Sequence, residues 1–283
     1  MWDYRYYLNL VEERDYAVDH EALRRYFPFD AVLEGMLGIY KDVFGLEFTQ
    51  LKQTQSWHDD VMLFEVFEVH EVASSGASSG AASGGAPKRE LLGYFYLDLW
   101  PRPNKFTHAA CWPLQPACAV EGGGRRPAVT ALVCNFPKPG PDGAPSLLEH
   151  NEVVTFFHEF GHGVHNLCSR TQLARFAGTA TERDFVEAPS QMLENWCWER
   201  DALARLSRHV DTGAPIPTEM VTPRASGAAE DFIRFRGEFS GTRDGDSLVR
   251  FFTYSDPPSP RTTQVDKLVA AKNANVGLLS CRQ

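Results

Sequence analysis

His158-Glu159-Phe160-Gly161-His162 carries the strongest signal in this chain. On an α-helix, residues four apart lie on one face, separated by about 6 Å along the axis. Two imidazole rings placed in this way can both bind one zinc ion, each at about 2.0–2.1 Å. Glu159 is rotated by about 100° from His158, so its carboxylate lies beside the metal rather than on it. The pattern predicts a metal-assisted hydrolase in which Glu159 is the general base that activates a zinc-bound water.

The residues around this stretch have the pattern of a buried amphipathic helix. Ser146 and Glu149 match a capping box that would open the helix, and no proline follows before Leu167. Apolar residues recur at helical spacing: Val153, Phe156, Phe157, Phe160, Val164 and Leu167. Histidines in such a helix are costly unless they have partners, which favours a metal site over two incidental histidines.

A catalytic zinc site usually has three protein ligands and one open position. His165 follows His158 by seven residues and shares its face. A third histidine farther along one straight helix cannot reach the same ion, so we interpret His165 as a packing or supporting residue. A histidine ten residues after the first is also missing, because that position is Cys168.

Glu187 is the predicted third ligand. Pro189 suits the first turn of a helix running to about Arg208, which places Glu187 at the mouth of that helix. The alternative is a helix cap, with Asp184 as N-cap and Glu187 as its partner. That cap would put Pro189 at the fifth helical position, where it removes an internal hydrogen bond, so we favour the ligand interpretation.

The runs 156–162 and 185–196 together resemble the thimet oligopeptidase, neurolysin and oligopeptidase A family of zinc peptidases. Further segments follow in the family's order at 26–28, 38–40, 93–99, 108–111, 135–139 and 176–179. The resemblance covers about 1–72, 88–221 and 265–283. It implies a mainly α (α+β) fold, with a zincin-like helical metallopeptidase core and a small β-sheet, incomplete at both ends.

The resemblance also implies a function. Members are zinc (Zn2+) endopeptidases that cut internal bonds of short peptides at the base of a deep channel. Carried over to this chain, His158, His162 and Glu187 bind the zinc and Glu159 activates water. The segment around Gly178 resembles one that contacts extended substrate, where glycine lets a peptide backbone approach closely.

Two departures from the family define alternative functions. Family members begin earlier and continue further, through a loop with glycine, tyrosine and histidine that stabilises the tetrahedral intermediate. Here no tyrosine follows Tyr254 and no histidine follows His209. Loss of one such donor slows an enzyme by about 100- to 1,000-fold. The alternatives are therefore a catalytically weak or inactive zinc-binding fragment that binds peptides, and a fragment unable to fold.

The domain prediction follows from the resemblance and from composition. Residues 1–221 form a partial catalytic domain, in which 73–87 is a flexible loop of serine, alanine and glycine. Residues 222–264 read as a disordered insertion, with a phenylalanine-containing binding segment as the alternative. Residues 265–283 are the truncated start of a C-terminal helical part.

Composition limits the partners and the compartment. The net charge of −9 disfavours nucleic acid as a partner. No apolar run approaches the 18 residues or so that span a membrane. The six cysteines form no CxxC pair, and the first residues match neither a signal nor a transit peptide. We expect a cytoplasmic monomer that acts on short peptides, or an organellar protein if a targeting segment is missing.

Secondary structure is predicted from the hydrophobic patterns. Charged and aromatic residues predict helices over 3–26 and 30–44, separated by Phe27-Pro28. Alternating residues predict paired strands at 61–69 and 94–99. A further strand is predicted at 128–134. A sheet strand beside the metal helix could align a peptide substrate by backbone pairing, which is a hypothesis.

Overall fold

A computed structural model describes residues 19–52, 56–70 and 88–217, together with 3, 6, 7, 10 and 220. The predicted flexible loop at 73–87, the predicted disordered insertion at 222–264 and the predicted helical segment at 265–283 all lie outside the described residues. Within the described ranges, no helix combines the length and the hydrophobicity that crossing a membrane requires.

The described residues form an α+β fold, as predicted. The helices are α1 (His20–Arg24), α2 (Phe29–Phe44), α3 (His150–Leu167), α4 (Ala188–Glu194) and α5 (Arg200–Leu206). The strands are β1 (Leu46–Leu51), β2 (Met62–His70), β3 (Lys88–Asp98), β4 (Ala110–Gln115), β5 (Cys118–Ala119), β6 (Arg125–Arg126) and β7 (Ala128–Val133). Short 3-10 turns occur at Ala174–Phe176 and Asn195–Cys197. The helix predicted at 30–44 and the strands predicted at 61–69, 94–99 and 128–134 are thereby confirmed.

The described chain divides into two compact units. The first contains residues 19–36, 136–158 and 191–217, and the second contains 37–52, 56–70, 88–135 and 159–190. The helices α2, α3 and α4 each contribute residues to both units.

The first unit is built on aromatic contacts to the start of α3. The Phe156 ring lies 6.0 Å from that of Phe29 and 5.5 Å from that of Phe136. Gly35 allows α5 to approach α2, since a Cβ at this glycine would lie 2.9 Å from the carbonyl carbon of Arg205. Burial of these side chains drives the packing of the helices, because each aromatic ring removes a large apolar area from water.

The second unit contains a five-stranded sheet in the order β1-β2-β3-β7-β4. Strands β1, β2 and β3 are antiparallel neighbours, β7 runs parallel to β3, and β4 is antiparallel to β7. Gly93 of β3 faces Ala128 of β7, and a Cβ on it would lie 2.8 Å from the Ala128 nitrogen. Phe160 packs on this unit, with its ring 5.1 Å from Phe95 and 5.0 Å from Tyr40.

The predicted capping box at Ser146 is wrong. Helix α3 begins at His150, and the Glu149 amide donates to the Glu152 carboxylate at 2.8 Å, so the cap lies three residues later. Ser146 and Leu147 are instead part of an extended segment. The Ser146 carbonyl accepts from the Phe29 amide at 2.8 Å, and Leu147 forms a β-bridge with Pro28. This pairing holds the backbone away from helical geometry.

The single helix predicted to run to Arg208 is also wrong. It divides into α4, the 3-10 turn at Asn195–Cys197, and α5. His150 Nε2 donates to the Cys197 carbonyl at 2.8 Å, and the Trp198 ring lies 4.5 Å from the His150 ring. A continuous helix would need the Cys197 carbonyl as a backbone hydrogen-bond acceptor, and here that carbonyl accepts from His150 instead.

Candidate metal centre

The predicted metal helix exists and is continuous. Helix α3 runs from His150 to Leu167, so His158 and His162 lie one turn apart on one face. Phe160 lies about 200° from both histidines and is buried against Phe95. Because Phe160 fixes the inward side of the helix, the two histidines must lie on the opposite side.

Glu187 directly precedes α4, as the position of Pro189 predicted. Its carboxylate Oε2 lies 3.1 Å from His162 Nε2. The Ser190 hydroxyl donates to the Glu187 carbonyl at 2.9 Å and contacts the Glu187 Oε2 at 3.2 Å, which orients the side chain. The alternative cap at Asp184 is not formed, because the helix begins only at Ala188.

The ligand atoms of the three predicted residues lie close together. A ring nitrogen of His158, a ring nitrogen of His162 and a carboxylate oxygen of Glu187 are all within 4.8 Å of one another. In a tetrahedral zinc site with bonds of 2.0–2.1 Å, neighbouring donors are about 3.3 Å apart. The 3.1 Å between His162 and Glu187 is close to that spacing. Two imidazoles and one carboxylate are also a donor set that zinc uses, so these residues fit the metal.

Glu194 is a residue that the sequence interpretation missed. Its carboxylate Oε1 lies 2.6 Å from His158 Nδ1, and the side chains are 23% and 25% exposed respectively. An ionised carboxylate can only accept, so His158 donates from Nδ1. A signal was present in the sequence, since Glu194 follows Glu187 by seven residues, which is two turns of a helix.

Glu159 faces the edge strand of the sheet. Burial, and then the charge of Glu159, raise the pKa of the Cys111 thiol to about 12. Gly163, one turn after Glu159 on the same face of α3, also lies close to Cys111, since a Cβ on this glycine would lie 3.9 Å from Cys111 Sγ. The general base predicted from the sequence therefore lies beside β4.

His165 is a packing residue. Its side chain is buried, and its ring lies 6.5 Å from that of Phe185. Burial, followed by the neighbouring His162, lowers the pKa of His165 to about 4. A buried neutral imidazole at this position agrees with the supporting role predicted for His165.

Gly178 is buried and has a left-handed backbone, with φ of 55°. A Cβ on this glycine would overlap the Asn166 side chain and lie 2.6 Å from Asn166 Cα. The Asn166 Oδ1 accepts from the Thr179 amide at 3.0 Å, and the Ser169 hydroxyl accepts from the Gly178 amide at 3.1 Å. The glycine thus permits close approach of α3, while its predicted contact with substrate stays a prediction.

A His-Glu-X-X-His helix with a glutamate from the next helix is the arrangement of zinc-dependent hydrolases. The model of peptidase family M3 matches residues 1–232, so the chain belongs to that family.

Characterised relatives agree with this assignment. The chain is 40% identical to a thimet-like oligopeptidase of Dictyostelium discoideum over 222 residues, which are 78% of this chain and 30% of the relative. It is 42% identical to saccharolysin of Saccharomyces cerevisiae and 36% identical to oligopeptidase A of Escherichia coli, over the same shares. The chain thus spans about 30% of the length of these relatives.

Proposed function

We propose that this chain forms the zincin-like metal-binding core of a zinc-dependent oligopeptidase that hydrolyses internal bonds of short peptides. The observation that carries the proposal is the convergence of His158, His162 and Glu187, whose ligand atoms lie within 4.8 Å of one another. In this proposal the three residues hold zinc and Glu159 is the general base. When bound, zinc polarises the scissile carbonyl and lowers the pKa of a water molecule.

The position of Glu159 supports its role. It follows the first ligand by one residue, so helical geometry turns its carboxylate by about 100° from His158 and leaves it beside the ion. From there it takes a proton from the attacking water and delivers it to the leaving amine. The 2.6 Å hydrogen bond behind His158 leaves the other ring nitrogen of that histidine deprotonated and able to bind metal.

The sheet supports a peptide as substrate. Among the described strands, β4 is at the edge and pairs only with β7, and its Cys111 lies near Glu159. An extended peptide can add to such an edge through backbone hydrogen bonds. Strand β7 lies between β3 and β4 and has no open edge, so we propose β4 as the sheet strand that aligns the peptide.

The relatives support the same substrate class, since two of the three named above are called oligopeptidases. Their names do not fix the compartment, because another relative, 32% identical, is called mitochondrial intermediate peptidase, from Arabidopsis thaliana. The cytoplasmic location, the monomeric state and the absence of nucleic-acid and membrane partners stay predictions.

The test combines metal analysis with cleavage of an internally quenched peptide by the full chain. We expect about one zinc per chain and cleavage at an internal bond. Glu159→Gln should keep the zinc and lose cleavage, because the amide cannot accept the proton. The matched control is Glu149→Gln, which makes the same change at an exposed position before the same helix.

Each other outcome has a defined meaning. Zinc and peptide binding without cleavage in the unchanged chain would favour the peptide-binding fragment over the peptidase. No bound zinc in a folded chain would refute the metal site. Equal cleavage by Glu159→Gln and the unchanged chain would refute the general base.

A further inference from the structure

The environment of His158 contains a contact that the ligand set does not explain. Glu194 Oε1 lies 2.6 Å from His158 Nδ1, within the distance of a strong, charge-assisted hydrogen bond. Glu194 is the last residue of α4, where the helix dipole disfavours a carboxylate. Helix stability therefore gives no reason for a glutamate at this position.

The two side chains are partly screened from solvent, with 25% of His158 and 23% of Glu194 exposed. The charge of Glu194 also acts on its surroundings. After burial, it is the second cause that raises the pKa of the fully buried Cys197 thiol. This carboxylate therefore places a charge directly beside the Nδ1 side of the His158 ring.

The hydrogen bond selects one form of the ring. Because the carboxylate accepts, the proton of the neutral imidazole is on Nδ1, and Nε2 keeps its lone pair. The contact also restricts rotation of the ring about its bond to Cβ. Metal-binding histidines commonly donate their second nitrogen to such a carboxylate, which fixes the tautomer and raises the basicity of the ligand.

We propose that Glu194 is a positioning residue that holds His158 in the Nδ1–H form, with Nε2 directed to the metal. This inference rests on the proposed zinc site and adds a fifth functional side chain to its three ligands and its general base. Glu187 directly precedes α4 and Glu194 is the last residue of that helix. One short segment would thereby supply both a ligand for the ion and the partner of another ligand.

The first test is the zinc dissociation constant of the full chain, measured by competition with a chromogenic chelator. Glu194→Ala should weaken zinc binding by about 10- to 100-fold, the usual effect of losing such a partner. Glu194→Gln should lose less, because its amide oxygen can still accept from Nδ1. Glu182→Ala is the matched control, since it removes one carboxylate from an exposed position and should leave affinity unchanged.

The second test needs no metal. Nitrogen-15 spectra of the histidine-labelled, zinc-free chain should show the His158 ring as the Nδ1–H tautomer, and Glu194→Ala should change that signal. A purely structural glutamate would alter thermal unfolding without this specific change at His158. Should the alanine variant fail to fold, the glutamine variant, which keeps the shape of the side chain, gives the same two readouts.

The outcomes separate this inference from the proposed function. Equal zinc affinity in the unchanged chain and a folded Glu194→Ala variant would overturn the role of Glu194 and leave the metal site intact. Tight zinc binding without peptide cleavage would overturn the peptidase and leave the role of Glu194 standing. An unchanged chain that binds no zinc would overturn both.

Discussion

Acid should destabilise this protein through one buried carboxylate at the end of β3. The Asp98 side chain is 4% exposed and accepts hydrogen bonds from Arg102 Nη1 at 2.5 Å and Nη2 at 2.7 Å. Trp57 Nε1 donates to it at 2.8 Å, and Lys105 Nζ lies 3.0 Å from its Oδ1. Protonation of Asp98 removes the charge that these donors stabilise.

The magnitude follows from the pKa of Asp98. Burial opposes ionisation, but hydrogen bonds from Arg102, Trp57 and Lys105 outweigh it and lower the pKa from 3.8 to about 2. A lowered folded-state pKa gives stability that is present above the unfolded-state pKa and lost as pH falls through the folded-state pKa. Linkage then gives roughly 2 kcal/mol at pH 6, most of which is lost by pH 2.5.

Urea unfolding at the two pH values measures this loss. Other carboxylates titrate as well, so the quantity to compare is the change in unfolding free energy of the unchanged chain minus that of Asp98→Asn. This difference should be roughly 1–2 kcal/mol. Asp142→Asn, at an exposed turn, is the control and should show the full pH dependence of the unchanged chain.

The variant should also be less stable at pH 6. Lys105 is 3% exposed, and Asp98→Asn removes the opposite charge beside it. The backbone carbonyls of Asp98, Trp100 and Cys134 still accept from Lys105 Nζ, so the loss should be smaller than the roughly 3–5 kcal/mol of an uncompensated buried charge. If Asp98→Asn and the unchanged chain lost the same free energy between pH 6 and pH 2.5, the reasoning from hydrogen bonds to pKa to stability would be refuted.

Two further predictions concern the site. Removal of zinc with a chelator should lower the melting temperature measured by calorimetry, since metal at 100 times its dissociation constant stabilises the folded chain by about 2.7 kcal/mol. Glu187→Gln should abolish this difference between the zinc-loaded and zinc-free chain. An equal shift of the melting temperature in the variant would contradict the ligand role of Glu187. Gly178→Ala should destabilise the chain by at least about 1 kcal/mol in urea unfolding, because its φ of 55° strains any residue with a Cβ and the Cβ would overlap Asn166. Unchanged stability of Gly178→Ala would contradict the close approach of α3 to this glycine.

Local patterns predicted the elements that hold the site. The helical spacing of apolar residues places the body of α3 and its end at Leu167 correctly, because burial of one helix face is encoded within the segment itself. Pro189 places the start of α4 correctly, since proline is tolerated in a first turn and not in a helix interior. Glu187 follows from that boundary, so the three residues that converge were all identified from sequence.

Other features depend on distant parts of the chain. The start of α3 was placed too early because the pairing of Leu147 with Pro28 joins residues far apart in sequence. Strand β4 was missed because Pro113 interrupts it and Trp112 and Leu114 are exposed, so no alternating pattern marks it. The order β1-β2-β3-β7-β4 is likewise a product of long-range pairing that local propensity does not contain.

The faces of α3 explain why so short a motif can define a site. Each residue of the helix advances by about 100°, so the burial of Phe160 against the sheet sets the direction of every neighbour. His158 and His162 then lie away from Phe160, and Glu159 lies beside Cys111 of the edge strand. Packing of a single aromatic ring therefore sets the directions of the two proposed ligands and of the proposed general base together. Only the carboxylates of Glu187, directly before α4, and of Glu194, at its end, must be brought in by tertiary folding, which makes the segment 187–194 the part on which assembly of the site depends.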